Sequence, residues 1–179
     1  MIAAIIAIAL IFSFPYVLAA AKRTILVLSI KRGCKRNGYK YTRIGTSVFS
    51  RIRSGRCSFR IETDNAVYTV KVCGTVSRRV HLRFADDTHY AVRNLRFQLS
   101  SSARAITYET KQKERFLFRQ GLTERELSKR QERVILLCPE PGIVSRVIGS
   151  ETREIANGDN AGEGILYNGD GFKRLLFKR

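Results

Sequence analysis

Asp87, Glu109 and Lys111 have the residue types and order for metal-dependent cleavage of a phosphodiester. Two carboxylates, Asp87 and the first residue of Glu109-Thr110-Lys111, can hold Mg²⁺, and a lysine two residues on can orient or activate water. That chemistry needs the aspartate on a strand beside the strand that carries the E-x-K. Here Asp86-Asp87 falls at the tip of an expected hairpin, and Glu109 at the end of an expected strand. The elements therefore position the trio poorly, and an exposed turn with a solvated charge pair explains the same residues.

The other reactive residue types form no stronger constellation. His81 and His89 sit near one hairpin, and Cys73 with His81 is formally a nucleophile–base pair. His81 is expected on the face opposite the core, with no third group to orient it, so surface histidines are expected. A Ser/His/Asp site has no nucleophile-elbow motif to support it. Cys34, Cys57, Cys73 and Cys138 lack C-x-x-C spacing, the local signature of zinc. Cys57 and Cys73 are expected on opposite faces of a two-stranded ribbon, a poor geometry for a disulfide. Buried thiols in a reducing compartment are the expectation. The Gly- and Asp-rich stretch 157–171 fails the spacing of a calcium loop and reads as turns. No G-x-G-x-x-G follows a strand. No metal and no cofactor are expected, and Asp87, Glu109 and Lys111 are the catalytic candidates.

The element that organises the chain is its opening, MIAAIIAIALIFSFPYVLAAA, without a charged side chain. Some twenty apolar residues match a helix crossing roughly 30 Å of hydrocarbon. Pro15 removes one donor and is expected to kink it. Tyr16 suits an interface. A retained anchor, a signal peptide cut near Ala19-Ala20-Ala21, and a buried core helix are the three alternatives. Only the terminal amine precedes the run, whereas a signal peptide carries positive charge there. Basic residues follow it, so the positive-inside rule puts the C-terminal side in the cytoplasm. The expectation is a single-pass membrane protein with a cytoplasmic C-terminal domain.

The net charge of +18 is unevenly spread. Twelve basic residues and no acid lie between Lys22 and Arg60. A polybasic run beside a membrane attracts anionic lipid at about 1 kcal/mol per residue near the surface. Lys22, Arg23, Lys31, Arg32, Lys35 and Arg36 are the candidate headgroup-binding residues. Nucleic acid rewards the same charge, and Tyr39, Tyr41 and Phe49 could stack on bases, but core positions suit them better.

Thr24 to Ile30 reads either as a first strand or as two more turns of the anchor. Asn37-Gly38 is a hairpin signal. Around Asp64-Asn65 the alternation sets Phe59 against Val70 and Ile61 against Tyr68, with Arg60 opposite Thr69. A second hairpin about Ala85-Asp86-Asp87 would set Leu82 against Tyr90 and Val80 against Val92. Ala105 to Thr110 is a further strand. Thr123-x-x-Glu126 is a capping box opening a helix to about residue 132. Val134 to Cys138 reads as a central strand buried on both faces. Strands about Gly149-Ser150, turns at Asn157-Gly158-Asp159 and Asn168-Gly169-Asp170, and a closing helical turn complete the chain.

The expected fold is α+β. A transmembrane helix or signal peptide covers 1–21, a basic juxtamembrane segment with the first strands covers 22–56, and an antiparallel β-rich domain, a meander or partial barrel, covers 57–179. The expected function is a membrane-tethered binding or adaptor module. Its partners would be anionic headgroups and another membrane or cytosolic protein, with nucleic acid less favoured. The alternatives are a membrane-tethered nuclease of restriction-endonuclease-like type using Asp87, Glu109 and Lys111, and a secreted, disulfide-bonded domain.

Overall fold

The computed structural model describes residues 2–44, 58–73, 80–84, 89–94, 104–107, 122–162 and 164–177. Helix α1 runs unbroken over Ile2–Arg36, through Pro15 and through Thr24 to Ile30. The second apolar run thus extends the helix instead of forming a strand. The Thr24 hydroxyl donates back to the Ala20 carbonyl at 3.0 Å, which satisfies it inside the helix. Asn37-Gly38 ends the helix and makes no hairpin. Gly38 takes φ +72°, and the Gly38 and Tyr39 amides donate to the Lys35 and Cys34 carbonyls at 3.4 and 2.9 Å. This is the Schellman pattern, in which a left-handed glycine lets two amides satisfy the last carbonyls. Lys35 and Arg36 in the last turn complement the helix dipole.

Among the described residues ten strands follow, in two sheets of five. The first contains β1 (Lys40–Arg43), β2 (Phe59–Glu62), β3 (Ala66–Cys73), β7 (Arg130–Leu137) and β10 (Ile165–Asn168), in that spatial order. The second is ordered β6 (Arg104–Thr107), β5 (His89–Asn94), β4 (Val80–Phe84), β8 (Ile143–Ile148) and β9 (Glu151–Glu154). Both sheets are mixed. The hairpins are antiparallel, while β3, β7 and β10 run parallel, as do β4 and β8. The α+β architecture is as expected, with parallel pairs added to the meander.

The β2–β3 register matches the alternation, pairing Phe59 with Val70, Arg60 with Thr69 and Ile61 with Tyr68. The β4–β5 register differs by two: Leu82 pairs with Val92 and Phe84 with Tyr90. A shift of two keeps every side chain on its expected face, because the strand period is also two.

Strand β7 shows why its sequence is continuously apolar. Val134 and Leu136 point into one buried cluster, with Leu26, Ile30 and Cys34 of α1 and with Phe172 and Leu176 of α3 (Gly169–Phe177). Ile135 and Leu137 point into another, with Cys73, Leu82, Phe84, Val144 and Leu166. The layers are therefore helices, first sheet, second sheet.

Helix α2 (Glu124–Leu127) is shorter than expected. Its capping box is complete: the Glu126 carboxylate accepts from the Thr123 amide at 2.7 Å, and the Glu126 amide donates to the Thr123 hydroxyl at 3.3 Å. The chain then turns early into β7, because Arg130–Arg133 pair in parallel with Ala66–Thr69. Likewise Asn168-Gly169-Asp170 is no turn but the start of α3. The Asn168 side chain accepts from the Gly171 amide at 2.7 Å, a capping bond.

Candidate membrane interface

Helix α1 has the length and composition of a membrane-crossing helix. It is also half of the domain's helical layer. Successive helical residues turn about 100° around the axis. Ala19, Leu26, Ile30 and Cys34 share one side, all of them buried. The contact is close enough that a Cβ added at Gly33 would lie 2.5 Å from the Phe177 ring. Arg23 lies on the same side, and its Nε donates to the Cys138 carbonyl at 2.8 Å. The domain thus reaches along the helix as far as Ala19.

The opposite side of α1 carries Phe14, Val17, Leu18, Ala21, Ile25 and Leu28, then Arg32, Lys35 and Arg36. Phe14 is 65% exposed, Ile25 67% and Leu28 45%. Large apolar residues this accessible, in one contiguous stripe, mark an interaction surface. The stripe ends in charge. Of the six candidate headgroup-binding residues, Lys22, Lys31, Arg32, Lys35 and Arg36 are exposed, while Arg23 is half-buried against the domain.

Elsewhere the polar side chains serve the fold. Lys129 Nζ donates to Glu62 at 2.8 Å and to the Thr63 carbonyl at 2.7 Å. Lys40 and Arg125 stand 3.7 and 3.8 Å from the same carboxylate. The Lys129 hydrogen bond outweighs partial burial and holds Glu62 below the ordinary carboxylate range, with the nearby cations adding to it. This cluster joins β1, β2 and the end of α2.

One pairing escaped the sequence. The His81 ring meets the Ser145 hydroxyl at 2.7 Å. Beside it, Arg83 donates to the Thr152 hydroxyl at 3.0 Å. The parallel pairing of β4 with β8 creates the first neighbourhood, and the β8–β9 hairpin adds Thr152 to the second. The distance would suit a nucleophile and its base, but Ser145 is only 3% exposed, so its Oγ is closed to a substrate carbonyl. The pair staples the sheet. His81 is half-buried here, where a surface position was expected.

Asp87, Glu109 and Lys111 lie outside the described residues, as do Asp86, Phe49 and Cys57. Among the described residues, no group of three or more His, Cys, Asp or Glu side chains could hold a metal. Cys34, Cys73 and Cys138 are thiols, with no disulfide among them. Burial raises the Cys138 thiol above its ordinary value, against the pull of Arg23. No protein-family model matches the chain, and neither a curated protein nor a solved structure matches it.

Proposed function

We propose that the protein is a single-pass, membrane-anchored binding or adaptor module whose mixed β-domain lies on the cytoplasmic side. One observation carries this reading: α1 stays apolar and exposed on one face through Leu28 while its other face is buried at Ala19 and part of the domain core from Leu26 onward. A helix built this way is a retained anchor. Cleavage near Ala19-Ala20-Ala21 would cut inside a continuous helix and remove a residue buried against the domain. The orientation follows from the basic residues on the C-terminal side of the apolar run, and the thiols suit a reducing compartment. Anionic headgroups are the lipid partner, and a membrane or cytosolic protein is the partner of the β-domain. Ile143 and Ile148, exposed at the two ends of β8, are apolar enough to contribute to that second contact.

Carbonate extraction and thiol labelling test the anchor. The full chain is expected to stay in the membrane pellet. Asp64→Cys and Glu151→Cys, both at exposed positions, are expected to react with an impermeant maleimide only after lysis. Release by carbonate would refute the anchor, and labelling of intact cells would refute the orientation. A photo-crosslinker at Ile148 is expected to give a discrete protein adduct in cells; crosslinkers at Ile143 and Ile148 that both yield none would refute the binding role.

A further inference from the structure

The polar boundary on α1 is not perpendicular to its axis. On the domain side the helix is buried from Ala19 onward, and Arg23 there is tied to the Cys138 carbonyl. On the outer side Ile25 and Leu28 are still apolar and exposed, and the first cation on that face is Arg32, with the exposed Lys22 and Lys31 on its flanks. Nine residues separate Arg23 from Arg32, about 14 Å of rise across a cylinder roughly 10 Å wide. A plane through both cuts the axis obliquely. We infer that α1 crosses the bilayer tilted by roughly 50°, steeper than the roughly 0–40° usual for membrane helices, with its outer face pressed into an anionic lipid surface, while the β-domain rides on the side turned away.

The inference rests on the anchor proposed above and adds what covers the outer face. The occupant is lipid with anionic headgroups, because the stripe runs from hydrocarbon-like residues straight into cations. With Phe14 at the midplane, Ile25 lies about 16 Å further along the axis and Leu28 about 21 Å. Tilt reduces these depths to about 11 and 13 Å, inside a half-thickness of roughly 15 Å. Arg32 comes to about 17 Å, level with the headgroups. An upright helix would instead leave Ile25 and Leu28 among headgroups and water. Since α1 is continuous with the core, the domain cannot swivel about a flexible joint, and the tilt fixes which of its surfaces face the cytosol.

The chain lacks tryptophan, so single substitutions report depth without a competing signal. Phe14→Trp, Ile25→Trp and Leu28→Trp are reconstituted as full chains in vesicles of phosphatidylcholine and phosphatidylserine with brominated acyl chains. All three are expected to emit in the blue and to lose most of their emission to bromine. For Leu28→Trp the loss is expected to be greater with phosphatidylserine than without it. Adding Arg32→Gln, Lys35→Gln and Arg36→Gln is expected to remove that difference. If Phe14→Trp is quenched while Ile25→Trp and Leu28→Trp emit like water-exposed indoles, the tilt is refuted and the anchor stands. If Phe14→Trp is not quenched, the anchor itself fails. If Ile25→Trp is shielded from both bromine and water, and Ile25→Cys crosslinks between copies, a second copy covers the face and the lipid assignment is overturned.

Discussion

Ile30 separates an anchor that merely tethers the domain from one that is part of it. Its side chain is fully buried among Leu26, Cys34, Phe59, Ile61, Val70, Val134, Leu136, Phe172 and Leu176. Ile30→Ala deletes three carbon groups at about 0.8 kcal/mol each. A residual cavity raises the total to about 3 to 4 kcal/mol, inside the range for large-to-small core substitutions. A domain of this size holds about 5–15 kcal/mol in all. The melting temperature should fall by roughly 6 to 16 °C, at about 2–4 °C per kcal/mol. Leu28→Ala, two residues away on the exposed face, should stay within about 0.5 kcal/mol in detergent, where micelle and alanine surface are both tolerated. The assay is thermal unfolding of the full chain in mild detergent, followed by β-sheet circular dichroism. If Ile30→Ala and Leu28→Ala melt together, the C-terminal half of α1 is a tether, and the continuity of helix and core is wrong.

Three further substitutions probe the joints. Lys129→Met should cost about 1.5–3 kcal/mol at neutral pH, the worth of a hydrogen bond to a charged group. The Glu62 carboxyl is depressed in the fold, so its stabilisation is present above its unfolded value near 4.3 and is lost as pH falls through the lower folded value. Urea melts across that acidic window should therefore show a shallower pH dependence for Lys129→Met than for the parent; equal slopes would sink the coupling. Gly38→Ala should destabilise by about 1–2 kcal/mol, because a Cβ is strained in the left-handed region, and an unchanged urea midpoint would refute the cap. Thr123→Ala should lose about 1 kcal/mol with its capping bonds, which the same urea titration would detect.

Local chemistry was legible in the sequence, and long-range pairing was not. The Phe59–Val70 register could be read because alternation on both sides of Asp64-Asn65 separates an apolar face from a polar one. Val134 to Leu137 announced a doubly buried strand, since neither face offers a polar residue to solvent. The parallel partners of that strand were invisible. Val70 pairs with Val134 across more than sixty residues, with no local signal to mark it. Ser145 was missed as the partner of His81 for the same reason. Asn37-Gly38 and Asn168-Gly169-Asp170 carry the residues of turns, but a left-handed glycine also ends a helix and an asparagine also begins one, so only the flanking structure decides. The charged stretch after Thr123 reads as an exposed helix until the edge of β3 recruits Arg130–Arg133. Asp87, Glu109 and Lys111 fall outside the described residues, and the nuclease trio gains nothing from the fold.

The basic excess between Lys22 and Arg60 looks uniform in one dimension and divides in three. Arg23 bonds the Cys138 carbonyl, Lys40 faces Glu62, and Arg60 is 3% exposed on the inner face of the first sheet. These three belong to the domain. Lys22, Lys31, Arg32, Lys35 and Arg36 remain exposed along α1. At about 1 kcal/mol each near an anionic surface, the described helical cations offer roughly 5 kcal/mol, not the 12 that a count of the whole stretch suggests. Deleting 22–60 would be no test of that attraction, because it removes Leu26, Ile30, Cys34 and Phe59 from the core along with the charge. Neutralising Arg32, Lys35 and Arg36 leaves the core intact. Any effect confined to those three cations then belongs to the membrane surface, and an effect that also appears in the unfolding midpoint belongs to the fold.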